Sequence, residues 1–258
     1  MYKEAGRAVT MDNKYWVPAI EKADSVLRLV ADHPGELRMM ELSKRTDINK
    51  SSMFSLLNTL EKLNWIRKDK DDTFRLGPAL GSLASGYFQY NDLVASFHQE
   101  AAITKAAIEE TIQLAELIGT EVLYLAKEEY PGPAKLTTEP GMRLPAHSTA
   151  LGKVLIAALP EERLSDLYAA ATPMQQLTPH TIADRASLER SLEPIRELGF
   201  AEDLEEAVQG FCCIAVPVRR GGQVVSAVSC SMLKHRWESK HALVLSELRQ
   251  LSDRLSVQ

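Results

Sequence analysis

"INKSSMFSLLNTLEKLNWIRKDKDDTFRL" (Ile48–Leu76) joins a helical pattern to a hairpin pattern, and its reading decides the fold of the first third of the chain. Asn49 stands where an N-cap belongs. Met53, Leu56 or Leu57, Leu60 and Leu63 then recur at the steps of one buried helix face. In "WIRKDKDDTFRL" two short strand-like runs flank an Asp-rich turn, which predicts a hairpin. Upstream, "VPAIEKADSVLRLVADHPG" puts Ile20, Ala23, Leu27 and Val30 on one face of a first helix. Pro18 is tolerated in its first turn and His33-Pro34-Gly35 ends it. "MMELSKRTD" is a shorter helix with Met40, Leu42 and Met39 inward. Three helices and a hairpin within about 75 residues form a winged helix-turn-helix.

The polar face of the third helix points to double-stranded DNA. Ser51, Ser55, Asn58 and Lys62 lie together opposite the apolar stripe, with Lys50 and Ser52 near the N-terminal end. In a major groove Asn pairs with adenine edges and Ser with phosphate or base. Arg67, Lys68, Lys70 and Arg75 on the hairpin are placed to neutralise phosphates. A solvated helix face would look the same residue by residue, and a winged helix can serve protein contacts alone. The order of elements is what favours DNA.

The whole chain, 258 residues with 45% hydrophobic and 25% charged, suits a globular protein of two ordinary domains. Its net charge of −5 is unevenly spread. Met1–Leu80 carries 14 Lys+Arg against 12 Asp+Glu, and Gly81–Gln258 carries 16 against 23, which suggests different partners for the two parts. No apolar run approaches the roughly 18–20 residues that span a bilayer, so no membrane partner is expected. Residues 1–16 lack the apolar core of a secretory signal and read as a flexible tail on a cytoplasmic protein. Cys212, Cys213 and Cys230 are odd in number and lack ligand spacing, so neither a disulfide framework nor a metal site is expected.

From Gly77 to about Glu110 the pattern is long and helical: a linker followed by the first helix of a second domain. Leu80, Leu83, Ala84 and Tyr87 would pack on a partner chain or in the core. Then "TIQLAEL" and "EVLYLAK" predict a strand pair, with "AKLTT" as a third strand. Helices are expected at "HSTALGKVLIAAL", "EERLSDLYAA" and "DRASLERSLEPIRELG". "FCCIAVPVRRGGQVVSAVSCSM" is a second hairpin and "ESKHALVLSELRQLSDRL" a closing helix. An antiparallel sheet flanked by helices makes the fold class α+β.

"LPAHSTALGKVL" (Leu144–Leu155) has a Gly-Lys pair entering a helix, like a nucleotide-binding loop. It fails that motif: Val154 stands where Ser or Thr would bind magnesium, and His147 where the first glycine would be. What remains is a helix N-terminus with hydroxyls, a place that favours an anion, with Ser148 or Thr149 as a plain N-cap the simpler reading.

"LPAHSTALGKVLIAAL", "GFAEDLEEAVQGFCCIAVPV" and "VSAVSCSM" closely resemble the effector-binding domain of the IclR family of bacterial transcription regulators. "VPAIEKADSVLRLV", "TDINKSSMFSLLNTLEKLNWIRKD" and "FRLGP" are similar to that family's winged helix. The resemblance spans about residues 17 to 255. It implies a tail (1–16), a winged helix-turn-helix (17–78), a linker helix (79–95) and a GAF-like effector-binding domain (96–258). It implies a homodimer, often a dimer of dimers, that binds operator DNA and a small metabolite without a cofactor. The effector residues it implies are Ala146, His147, Ser148, Asp203, Cys213, Ser229 and Ser231, with Met142, Leu144 and Phe211 as apolar walls. Gly152 and Lys153 belong to its signature as structural residues. Many relatives carry Arg where this chain has Ser55 and Lys22, so a family operator sequence does not transfer.

The residues themselves add limits. Cys212 and Cys213 face opposite sides of a strand, so one at most lines a pocket. Ser229 and Ser231 share a face that excludes Cys230. Asp203, beside Glu202, Glu205 and Glu206, reads from the sequence alone as a solvated acidic turn. An acyl-transfer enzyme would need a G-x-S-x-G elbow or an activated Cys, and no elbow exists. A winged-helix protein whose second domain binds a protein is the other alternative. The reading reached is a ligand-responsive transcription regulator, expected to repress a catabolic operon in response to a small organic or sugar-derived acid.

Overall fold

The computed structural model describes residues 16–89, 92–132, 136–168 and 173–256. The expected tail, apart from Trp16, lies outside them. The chain divides into two compact units, Met1–Tyr90 and Asn91–Gln258, a division that falls inside the stretch expected as a linker helix.

The first unit contains α1 (Pro18–Asp32), α2 (Met39–Thr46), α3 (Lys50–Lys62), the strands β1 (Ile66–Lys68) and β2 (Phe74–Leu76), and α4 (Pro78–Gln89). β1 and β2 pair antiparallel, with Arg67 opposite Arg75. Val26, Val30, Leu42, Ile48, Met53, Leu57, Leu60, Ile66 and Phe74 form the core. The predicted stripe of α1 holds at Ala23, Leu27 and Val30, gains Val26, and loses only its first member, Ile20. Val26 and Val30 are buried with Ala23 and Leu27 partly so, whereas Ile20 is 68% exposed. α1 packs on α2 and β2, and the buried positions lie in its C-terminal half. In α2 it is Leu42 and Met39 that turn inward while Met40 is exposed, and Leu63 is an exposed C-cap of α3.

The second unit has α5 (Asp92–Ile108), β3 (Thr111–Ile118), β4 (Glu121–Glu128), β5 (Arg143–Pro145), α6 (Ala150–Ala157), α7 (Glu161–Leu167), α8 (Arg185–Leu198), β6 (Ala201–Leu204), β7 (Phe211–Arg220), β8 (Gln223–Leu233) and α9 (Trp237–Ser256). Its six-stranded sheet has the order β5-β4-β3-β8-β7-β6, and every recorded pairing is antiparallel. Gly221 and Gly222, both at positive φ, turn β7 into β8, as a tight hairpin demands. α5 and α9 cover one face of the sheet. On the other, α6 packs against a floor of Ala115, Ala201, Ala215 and Ala227, with α8 behind it.

Two expectations change here. Of "AKLTT", residues 136–138 are described and carry no strand; β5 takes that place beside β4. A reversal at Glu139–Met142, with Gly141 at φ 91°, delivers it there. Asp203 lies on an edge strand, β6, instead of in a solvated turn, and is 2% exposed.

Candidate functional site

In the first unit, Asn49 caps α3. Its Oδ1 accepts from the Ser52 backbone N–H and from the Ser51 hydroxyl, both at 2.9 Å. With Met53, Leu57 and Leu60 buried, Lys50, Ser51, Ser55, Asn58 and Lys62 stand exposed on the other side and Ser52 is half-buried. Phe54, which the sequence reading did not single out, is exposed among them.

The hairpin divides its cations. Lys68 pairs with Asp72 and Arg75 with Asp69, each at 2.6 Å. Arg67 and Lys70 are exposed and, among the described residues, carry no ion pair. The carboxylate beside it also raises the pKa of Lys68 through a hydrogen bond and direct attraction. Exposed pairs of this kind are worth little, so both paired cations can exchange a carboxylate for a phosphate.

In the second unit, strand register builds a row of chemistry. Asp203 on β6 faces Cys213 on β7, which faces Ser231 on β8, which faces Thr111 on β3. Ser229, two residues from Ser231 and therefore on the same face, sits opposite Gln113. The Gln113 side-chain oxygen accepts from Ser231 Oγ at 3.0 Å and Ser229 Oγ at 3.4 Å, while its amide donates to Thr138. Cys213 Sγ lies 3.1 Å from Ser231 Oγ. These groups, with Tyr124, Leu144, Phe211 and the first residues of α6, line a cavity of about 20 Å³, room for about one water molecule.

Asp203, Cys213, Ser229 and Ser231 are thus brought together. Leu144 and Phe211 are at the cavity wall, whereas Met142 is exposed and outside it. Ala146, His147 and Ser148 are not at the wall either. They form a buried 3-10 turn leading into α6, where Ser148 Oγ donates to the Pro145 carbonyl. His147 Nε2 donates to the Gln175 carbonyl at 3.0 Å. Burial holds its imidazole below the ordinary pKa, hence neutral. The next residues, Thr149, Ala150 and Leu151, take their place at the cavity. Gln113 was missed, although one buried amide in the alternating run "TIQLAEL" on the face of Thr111 was a visible signal.

The Gly-Lys pair proves structural. Thr149 caps α6 by accepting from the Gly152 N–H. A Cβ on Gly152 would come within 2.0 Å of the Ala146 carbonyl oxygen, so only glycine lets the 3-10 turn sit against the helix. Lys153 is buried and paired with the carboxylate of buried Glu206. The Glu205 and Glu206 carbonyls accept from the Thr178 and Thr181 hydroxyls, which fastens the segment that follows Asp203.

The electrostatics are set by burial. It pushes the Asp203 carboxyl up to about 7, against two backbone N–H bonds that favour the charged form. Burial and then the neighbouring Asp203 hold the Cys213 thiol far above its usual range. A protonated, buried thiol is a packing and hydrogen-bonding group rather than a nucleophile. Among the described residues no group of His, Cys, Asp and Glu could hold a metal ion, and no helix is long and apolar enough to cross a membrane.

Comparison with known proteins agrees with both halves of the chain. Residues 19–70 match the IclR helix-turn-helix domain and residues 86–257 the bacterial transcriptional regulator IclR C-terminal domain. The HTH-type transcriptional regulator XynR of Escherichia coli K12 is 34% identical over 224 residues, covering 85% of this chain and 88% of the relative. The HTH-type transcriptional repressor AllR of the same strain is 28% identical over 246 residues, 93% and 90% of the two chains. The structure of an IclR homolog from Microbacterium hydrocarbonoxydans, complexed with 4-hydroxybenzoate, has the same fold. Its TM-score is 0.77 at 20% identity, over 93% of this chain and 98% of that one. The chain belongs to the IclR family. It is a transcription regulator, and the enzyme alternative falls with that assignment.

Proposed function

We propose that this regulator represses a catabolic operon by binding its operator through α3 and the β1–β2 hairpin, and releases it when a small organic or sugar-derived acid enters the cavity of the second unit. The observation that carries the effector half is the convergence of Asp203, Cys213, Ser229, Ser231 and Gln113 on one cavity at the start of α6. A ring of hydroxyl, amide and carboxyl groups with the N-terminus of a helix suits a ligand bearing both an anionic group and hydroxyls. The Microbacterium homolog's 4-hydroxybenzoate combines the same two features, and AllR is by name a repressor. Ala146, His147 and Ser148 serve the ligand by holding the first turn of α6.

A cavity of about 20 Å³ holds no metabolite. Ligand entry therefore separates the walls, and a ligand bound only by the opened form shifts the population towards it. In a homodimer, or a dimer of dimers, such a shift changes the spacing of paired recognition helices. That spacing must match half-sites about 34 Å apart. The test is binding of the purified full-length protein to its own upstream DNA across a salt series. Sequence-selective binding with a steep salt slope supports the reading; equal affinity for unrelated duplexes overturns it.

A further inference from the structure

We propose that Phe54 reads the 5-methyl group of a thymine in the operator, beside the base reached by Asn58. The proposal rests on the reading of α3 as the helix that enters the groove. Phe54 is 59% exposed, in the second turn of α3. The helix does not use it for packing, since Met53, Leu57 and Leu60 are already buried and Leu56 packs at their edge.

A single exposed apolar side chain is ordinary on a protein surface. What distinguishes this one is its surroundings. One turn back stands Lys50, one turn on stands Asn58, and Ser51 lies three residues before; all are exposed. Ser51 and Ser55 are short, so the helix can seat deeply and bring a ring to the base edges. A second copy of this face is a poor occupant. Lys50, Lys62, Arg67 and Lys70 carry no ion pair among the described residues, and like charges would oppose each other where phosphates would attract.

The chemistry that accepts a ring beside an amide is an adenine–thymine step. Asn pairs with the N6 and N7 edge of adenine, and the methyl group of thymine is the apolar feature of the same groove. Residues four apart on a helix have Cβ atoms about 5–6 Å apart, which spans one or two base steps of about 3.4 Å. Phe54 and Asn58 thus address neighbouring base pairs.

The experiment selects preferred sites from randomised duplexes with the full-length wild type, Phe54→Ala, Phe54→Leu and Asn58→Ala. Each thymine of the wild-type site is then replaced in turn by deoxyuridine, which removes only the methyl group. At one thymine per half-site, deoxyuridine should weaken wild-type binding roughly fourfold, the worth of one buried methyl group. Phe54→Ala should show almost no difference between the two bases, and Phe54→Leu an intermediate one. Equal discrimination by wild type and Phe54→Ala, or none by the wild type at any thymine, overturns the proposal. An altered site preference in Asn58→Ala alongside either result shows that only the Phe54 assignment has failed. An unchanged preference in both variants removes α3 as the reading helix.

Discussion

The Glu206 backbone N–H donates to Asp203 Oδ1 at 2.6 Å while the Glu206 side chain pairs with buried Lys153. One residue thereby ties the carboxyl group at the effector cavity to the helix whose N-terminus forms the cavity's other side. A charge pair placed this deep matters less for what it contributes than for what its loss leaves behind.

Lys153→Met should accordingly destabilise the protein by about 3–5 kcal/mol, because the Glu206 carboxylate is then buried without a cation. Adding Glu206→Gln should recover part of the loss. Urea unfolding of both variants checks this. A double variant no more stable than Lys153→Met would contradict the assignment of the loss to an uncompensated Glu206 charge.

Asp203 makes stability depend on pH. Its carboxyl group titrates near 7 when folded and near 3.9 when unfolded. Between those values the folded chain holds a proton that the unfolded chain has released, so stability falls as pH rises through that window and levels off above it. Asp203→Asn keeps the acceptor for Glu206 and removes the charge. It should be more stable than wild type by about 2–4 kcal/mol at pH 8, with the difference vanishing near pH 4. A gap independent of pH would contradict the assigned titration.

Gly152→Ala forces a methyl group onto the Ala146 carbonyl. With backbone on one side and a capped helix on the other, neither partner yields cheaply, and a loss of about 3 kcal/mol, the upper end of the usual cost of overpacking, is expected. Differential scanning calorimetry should show the effector-domain transition moved to lower temperature. An unshifted transition would mean that the close contact relaxes without cost.

The two sorts of wing cation should behave differently. Arg67→Ala should weaken operator binding across all sequences and flatten its salt slope by about one unit. Lys68→Ala should do less only by the small worth of the exposed Asp72 pair that its ammonium gives up on binding. Asn58→Ala should relax sequence preference instead. Affinity measured from low to moderate salt separates the three.

Much of this was legible because local patterns and tertiary needs coincide. Asn49 as a cap, the buried stripe of α3 and the Gly-Gly turn between β7 and β8 all follow from spacing and turn chemistry. The alternation that sends Ser229 and Ser231 to one face and Cys230 to the other needs only the period of a strand. The misplaced positions depended on what packs against them. Ile20 has the right spacing but sits beyond the buried half of α1, and Asp203 looks solvated until its strand β6 pairs with β7 and the Glu206 backbone turns back onto its carboxyl group. The shift from His147 and Ser148 to Thr149–Leu151 at the cavity comes from the 3-10 turn under Gly152, a contact between backbone groups that side-chain pattern does not encode. Gln113 was overlooked because an amide in a strand carries meaning only once its cross-strand serines are known.

The most direct measurement is a thermal-shift panel of small carboxylates, sugar acids and hydroxylated aromatic acids, run on wild type and on the Ser229→Ala/Ser231→Ala variant, with operator binding followed for every compound that shifts the wild type. At a hundredfold excess over its dissociation constant a ligand should stabilise the native state by about 2.7 kcal/mol. The account predicts at least one compound that raises the melting temperature of the wild type, lowers its operator affinity and does neither in the variant. A compound that acts equally on both proteins, or a panel that leaves the wild type unmoved, would contradict the cavity's role as the effector site.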